Sequence, residues 1–84
     1  MRTTREFGAH DTPAALRAAH RVAPGVWGLL RVRSGSVRFV LVGPAGGREQ
    51  RRELVAGDTQ VIERDVAHHV EPGDDARFVV EFHR

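Results

Sequence analysis

The sequence predicts an all-β fold, a small sandwich or barrel formed as a single domain over residues 1–84. Three observations carry that prediction. Short segments alternate apolar and polar residues, as in "VRFVLV", where Val37, Phe39 and Leu41 fall on one side and Arg38 on the other; a period of two marks a half-buried strand. Turn residues, mostly glycine, interrupt the chain roughly every eight to twelve residues, the spacing of a sandwich or barrel. Finally, 84 residues without a cysteine leave no disulfide to staple a thin core. Stability then comes from compact β packing, a metal, or association with another copy.

Taken in order, "HDTPAALRAAH" opens with a helix start: Asp11 or Thr12 can cap, and Pro13 fits the first turn. No apolar stripe follows, so one or two turns are expected before Pro24 and Gly25 break the chain. "VWGLLRVR" and "VRFVLV" flank Ser34–Ser36 and read as a hairpin. "GPAGGREQRR" reads as a long polar turn. "ELVAGD" and "TQVIE" form two strands around Gly57 and Asp58, "AHHVEP" a further extended piece, and "ARFVVEFH" the closing strand after the turn at "GDD".

Composition excludes several classes of function. All 13 basic residues are arginine, set against 11 acidic ones for a net charge of +2. The sequence pI of about 10.9 therefore reflects the arginine pKa and not a concentrated basic face, and no nucleic-acid partner is expected. Arg48, Arg51 and Arg52 read as a solvated hairpin loop. No apolar run approaches the roughly 18–20 residues of a membrane span, and "MRTTREFGAH" has no signal-peptide core, so a cytoplasmic protein without a membrane partner is expected. Ser34 and Ser36 flank a turn without a nucleophile-elbow context, and "GPAGG" lacks the lysine and helix of a phosphate-binding loop. Asp74 and Asp75 are turn residues.

The adjacent pair His68–His69 in "AHHVEP" is the most informative feature. Neighbouring side chains of a strand point to opposite faces, so the two imidazoles cannot both face the core. Gly57 and His68 stand in register with the second motif of the cupin superfamily, whose proline and second glycine are here Glu63 and Asp65 and whose asparagine is Pro72. A longer ordered set comprises His20, Gly25, Trp27, Leu30, Val32, Gly35 and Phe39, then His68, Val70, Glu71 and Pro72, then Glu81, Phe82 and Arg84. Over about residues 11–84 this set resembles the small cupin-like domains of the TehB/YeaR type, named for a tellurite-resistance protein and a small bacterial relative. Val22 and Ala23 depart from the family's threonine and lysine, and Ala67 stands where an aromatic often precedes the histidine.

The resemblance implies a small single-domain cupin, a jelly-roll β-barrel or sandwich. Its motif register makes His68 the inward residue and leaves His69 near the rim. His20 is the natural partner of His68, since it is what remains of the first cupin motif, and Gly28 stands near where that motif has a glutamate. Glu81 could reach the vacant position from a neighbouring strand. Two imidazoles and a carboxylate with open positions suit a divalent metal ion, zinc or another first-row metal. Each residue also has a plainer reading. His20 serves equally as a hydrogen-bonded core or rim histidine, His68 as a polar group lining an empty pocket, and Glu81 as an outward residue beside Phe78, Val80 and Phe82. Glu71 is a second candidate ligand or pocket residue, or it anchors the turn before Pro72. Trp27 reads as a core or pocket wall, and His10 and His83 as solvated.

Three functions follow. The first is a metal-binding cupin that takes a small molecule or oxyanion, in tellurite or a related stress response as the resemblance implies. Some relatives join such a domain to a methyltransferase; this chain has neither the length nor a Gly-rich cofactor motif for one. The second is a metal-dependent enzyme of dioxygenase or isomerase type. The third is a non-metallated ligand-binding module. A homodimer is expected, because so short a chain leaves edge strands to cover.

Overall fold

The computed structural model describes residues 2–17, 25–42, 49–63 and 66–84. Eight strands and one helical turn follow one another: β1 (Arg2–Thr3), β2 (Phe7–Gly8), α1 (Ala14–Arg17), β3 (Trp27–Ser34), β4 (Ser36–Leu41), β5 (Gln50–Val55), β6 (Thr59–Ile62), β7 (His68–Pro72) and β8 (Arg77–His83). They make two antiparallel sheets. One has the order β1-β8-β3-β6, with β2 also paired to β8; the other has the order β5-β4-β7. The chain is thus all-β, and among the described residues the strands do not close into one hydrogen-bonded ring.

Alternation explains which side of each strand is buried. Leu30 and Val32 of β3, Val37 and Phe39 of β4, Leu54 of β5, Ile62 of β6, Val70 of β7, and Phe78 and Val80 of β8 all face the space between the sheets and form one core. Each such side chain contributes about 1.5–3 kcal/mol when removed from water. The two N-terminal strands add Phe7, whose ring lies 5.7 Å from that of Phe78. They also cover the edge of β8: Thr4 N–H donates to the Val80 carbonyl and Val80 N–H donates to Thr4 Oγ1. This strap was not expected from sequence, since two-residue strands show no period.

Two further details differ from expectation. The strand expected to begin at Glu53 begins at Gln50, so Arg51 and Arg52 belong to a strand and not to a loop. The helical turn after Pro13 is present, but the expected caps are used otherwise. Asp11 Oδ1 accepts from Gly8 N–H at 2.6 Å, and Thr12 Oγ1 donates back to the Gly8 carbonyl at 2.5 Å.

The turns sort the sandwich into two ends. Gly35 sits in the β3–β4 turn with φ at +67°, and a Cβ there would stand 2.7 Å from the Asp75 carbonyl, so only glycine fits. Gly73 N–H donates to the Ser36 carbonyl and Gly57 N–H to that of Val32. The three tight turns therefore gather at one end. At the opposite end lie Leu41 and His68, which pair with each other, and Gly28, which pairs with both Ile62 and Phe82.

Candidate functional site

That second end holds the candidate residue His68. His68 opens β7 and is 1% exposed, one of two buried polar residues among those described. It lies two residues before Val70, on the same inner face. Its ring stacks on Phe39, with centroids 5.7 Å apart and planes inclined by 24°. Nδ1 is 3.1 Å from the Val66 carbonyl oxygen. A carbonyl only accepts, so Nδ1 is the donor in this bond.

His69 points outward, as alternation requires. Its Nε2 lies 3.0 Å from Glu71 Oε2, and Glu71 in turn meets Arg38, which is bonded to Glu53 at 2.6 Å. A row of alternating charge thus crosses the outer face of the three-stranded sheet. Its hydrogen bond from His69, chiefly, holds the Glu71 carboxyl below the usual carboxylate range. Glu71 does line a shallow groove of about 290 Å3 together with Ala9, His69, Val70 and Pro72. It does not anchor the following turn through backbone N–H groups, as one of its readings had it, because its described partners are side chains.

The structure does not bring Glu81 to His68. Directly opposed residues of antiparallel strands share a face, and the partner of Gly28 on β8 is Phe82, while Glu81 is opposite Leu29. The position facing Gly28 is therefore filled by a phenyl ring. Glu81 lies on the outer face of the five-stranded sheet, hydrogen-bonded to Arg31 Nε, which lowers its carboxyl pKa, with His83 Nε2 3.4 Å away. A ligand role for Glu81 beside His68 would require it to cross the sheet. Trp27 is on that outer face too. It stacks on His83 with centroids 4.3 Å apart, so it walls no inner pocket, and His83 is half-buried and not solvated. His20 lies outside the described residues. Among the described residues no three His, Asp or Glu side chains gather as a metal site requires.

Sequence reasoning missed two inner-face residues. Because β5 begins at Gln50, Arg52 stands two residues before the buried Leu54 and directly opposite Phe39. Gln60 of β6 is opposite the buried Leu30. Arg52 Nη1 donates to Gln60 Oε1 at 2.7 Å, joining the two sheets across the β5–β6 side. The signal was available: counting back by twos from Leu54 turns Arg52 inward.

The profile of the TehB-like domain matches residues 2–80. The chain belongs to the TehB-like domain family. This TehB-like domain superimposes on the crystal structure of a protein from E. coli (strain K12) with a TM-score of 0.88 and 26% identity, over 98% of this chain and 85% of that one. It also superimposes on TehB from Haemophilus influenzae with a TM-score of 0.85 and 20% identity, over 95% of this chain. It spans 29% of the length of that TehB, and at this identity the likeness is one of fold. No curated protein matches the chain. Among the described residues no helix is long and apolar enough to cross a membrane.

Proposed function

We propose that this TehB-like domain is a small-molecule-binding module of cupin jelly-roll architecture, which receives a small polar ligand at the His68 end of the sandwich. The observation that carries the proposal is the buried, inward His68 at the end of the sandwich opposite the tight turns. Packing alone favours an apolar side chain between Phe39 and the opposite sheet, yet an imidazole stands there, with Nδ1 bonded to the Val66 carbonyl. A polar group kept at such a place is what a binding pocket requires. Tellurite and related oxyanions are the ligands to try first, in keeping with the family resemblance, and the module works in a stress response of that kind. The module is cytoplasmic. It is also a homodimer, joined across the outer face of the five-stranded sheet where Trp27, Leu29 and Val61 lie; Val61 is 47% exposed.

A divalent metal is the second reading. It is favoured by the Nδ1–H bond of His68 to a backbone carbonyl, the way metal-bound imidazoles are oriented. The described residues do not complete a ligand set, so the metal would rest on His68 with His20. Elemental analysis of the purified protein separates the readings: an equivalent of zinc or another first-row metal, lost in His68→Leu, replaces the first with the second. Titration of labelled protein with tellurite, phosphate, succinate and glycerol, followed by the His68 ring resonances, tests the first. Saturable movement of those resonances is expected with at least one ligand. If none of the four moves them, the His68 end is not the binding site.

A further inference from the structure

The acidic and basic side chains of the strands are not distributed evenly between the two faces. β5 to β8 carry three carboxylates, Glu53, Glu71 and Glu81, and alternation places each on an outer face, next to the inward Leu54, Val70 and Val80. The polar residues on the inner faces are of another kind: Gln50, opposite Leu41; Arg52, opposite Phe39; Gln60, opposite Leu30; and His68. The inner faces therefore carry hydrogen-bonding side chains and one fixed positive charge, with no strand carboxylate among the described residues to neutralise it.

Arg52 differs from its neighbours in its partner. Arg51 meets Glu49, Arg38 meets Glu53 and Glu71, Arg31 meets Glu81, and Arg5 meets Asp11. Arg52 donates to a neutral amide oxygen, that of Gln60. The amide nitrogen of Gln60 is itself turned to the Val61 carbonyl, which fixes Oε1 toward the guanidinium. One of the five N–H donors of the fork is used in this way, and the bond holds the group across the gap between the sheets. A guanidinium presents paired donors that match the oxygens of an oxyanion.

We propose that Arg52, positioned by Gln60, is the anion-recognition residue of this domain, and that its ligand is a small oxyanion or the carboxylate end of a small organic acid. This rests on the reading of the His68 end as the binding site. Arg52 is directly opposite Phe39 on β5, whereas His68 is opposite Leu41, two residues along from the Phe39 partner on β7; two strand spacings and that offset put them about 12 Å apart at the backbone. Of the two, Arg52 is exposed and His68 is buried, so the ligand's charged end rests on Arg52 and its other end is directed toward His68.

The experiment is a titration of labelled protein with inorganic phosphate, tellurite, succinate and glycerol, following the Arg52 Nε–Hε resonance. Saturable binding of at least one anion is expected, and none of glycerol. Tighter binding of an inorganic anion identifies a free oxyanion as ligand; tighter binding of succinate identifies an organic acid. Arg52→Gln should weaken binding at least tenfold and Arg52→Lys less, because lysine keeps the charge and loses the fork. Arg51→Gln, on the outer face, should change it less than twofold. Arg52 is exposed, so its variants keep the fold, as thermal melts of each will verify. Equal weakening by Arg51→Gln and Arg52→Gln would reduce the effect to general charge and overturn the proposal, as would glycerol binding as tightly as succinate, unchanged affinity in Arg52→Gln, or no saturable anion at all. His68→Leu separates this proposal from the reading beneath it. Anion binding lost with Arg52 but kept in His68→Leu leaves the Arg52 assignment standing and removes the His68 pocket, and the converse pattern does the reverse.

Discussion

Substituting alanine at His68 and His69 in turn gives a direct test of which face of β7 is inside. His68→Ala deletes a ring that is 1% exposed, stacked on Phe39 and bonded to the Val66 carbonyl. Loss of the packed ring together with its bond costs about 2–4 kcal/mol, by analogy with other large-to-small core changes. For a domain of this size the total stability is on the order of 4–13 kcal/mol, and the melting temperature should fall by roughly 10–30 °C. His69→Ala removes an outward ring that is 17% exposed and its pair with an exposed carboxylate, 3.0 Å apart, for less than about 1 kcal/mol. His68→Leu should be close to neutral, since an apolar side chain of similar volume keeps the packing and leaves no imidazole to bury. Urea unfolding read by tryptophan fluorescence measures all three, with Trp27 as the one reporter. If His69→Ala costs as much as His68→Ala, the inner face of β7 has been assigned to the wrong residues. If His68→Leu is as damaging as His68→Ala, the imidazole is there for stability and the argument for a ligand is lost.

Gly35→Ala should destabilise by about 2–4 kcal/mol, from the positive φ and the contact with Asp75, whereas Gly57→Ala, with φ at +93° and nothing within 4 Å of its Cβ, should cost only the conformational part, about 1–2 kcal/mol; equal losses in thermal melts would refute the close approach. The carboxyls of Glu71 and Glu81 lie below their ordinary values in the folded chain, held by His69 and Arg31 respectively. Their contribution is complete above the unfolded carboxylate range near pH 4.5 and disappears as pH falls through the folded values, so the double variant Glu71→Gln/Glu81→Gln should show a flatter decline in melting temperature below about pH 4.5 than the parent. A mass near twice 9.3 kDa is expected by light scattering, reduced to a monomer in Val61→Arg; a parent that stays monomeric across concentrations would refute the dimer.

β3, β4 and β8 were legible because each carries two or more apolar residues at alternate positions, and β5, β6 and β7 from short apolar segments set between turn residues. β1 and β2 were not, since "RT" and "FG" become strands only by pairing with β8. The start of β5 was hidden by its composition: of Gln50, Arg52 and Leu54, which share the inner face, Leu54 alone is apolar. Arg52 was set aside as loop for that reason. The opposed orientations of His68 and His69 follow from alternation within a strand and needed no tertiary information. Glu81 did need it. The pattern of Phe78, Val80 and Phe82 offered the outward position as one of two readings of Glu81, and choosing between them needed a cross-strand register that the pairing of Gly28 with Phe82 supplies.

The pairing of β8 bears on how the chain is made. β8 lies between β3 on one side and the N-terminal strands on the other, yet every one of those strands leaves the ribosome before it. The five-stranded sheet has no centre until Arg77–His83 is synthesised, whatever residues follow. Until then the edge of β3 that β8 takes stays open, the exposure that invites pairing with the wrong chain. Since β8 pairs with residues 43 to 80 positions before it, closure is slow compared with that of a hairpin. A nascent chain paused before Arg77 would hold its three-stranded sheet and the β3–β6 pair at most, and a chaperone acting on this protein would have to hold it until the last strand arrived.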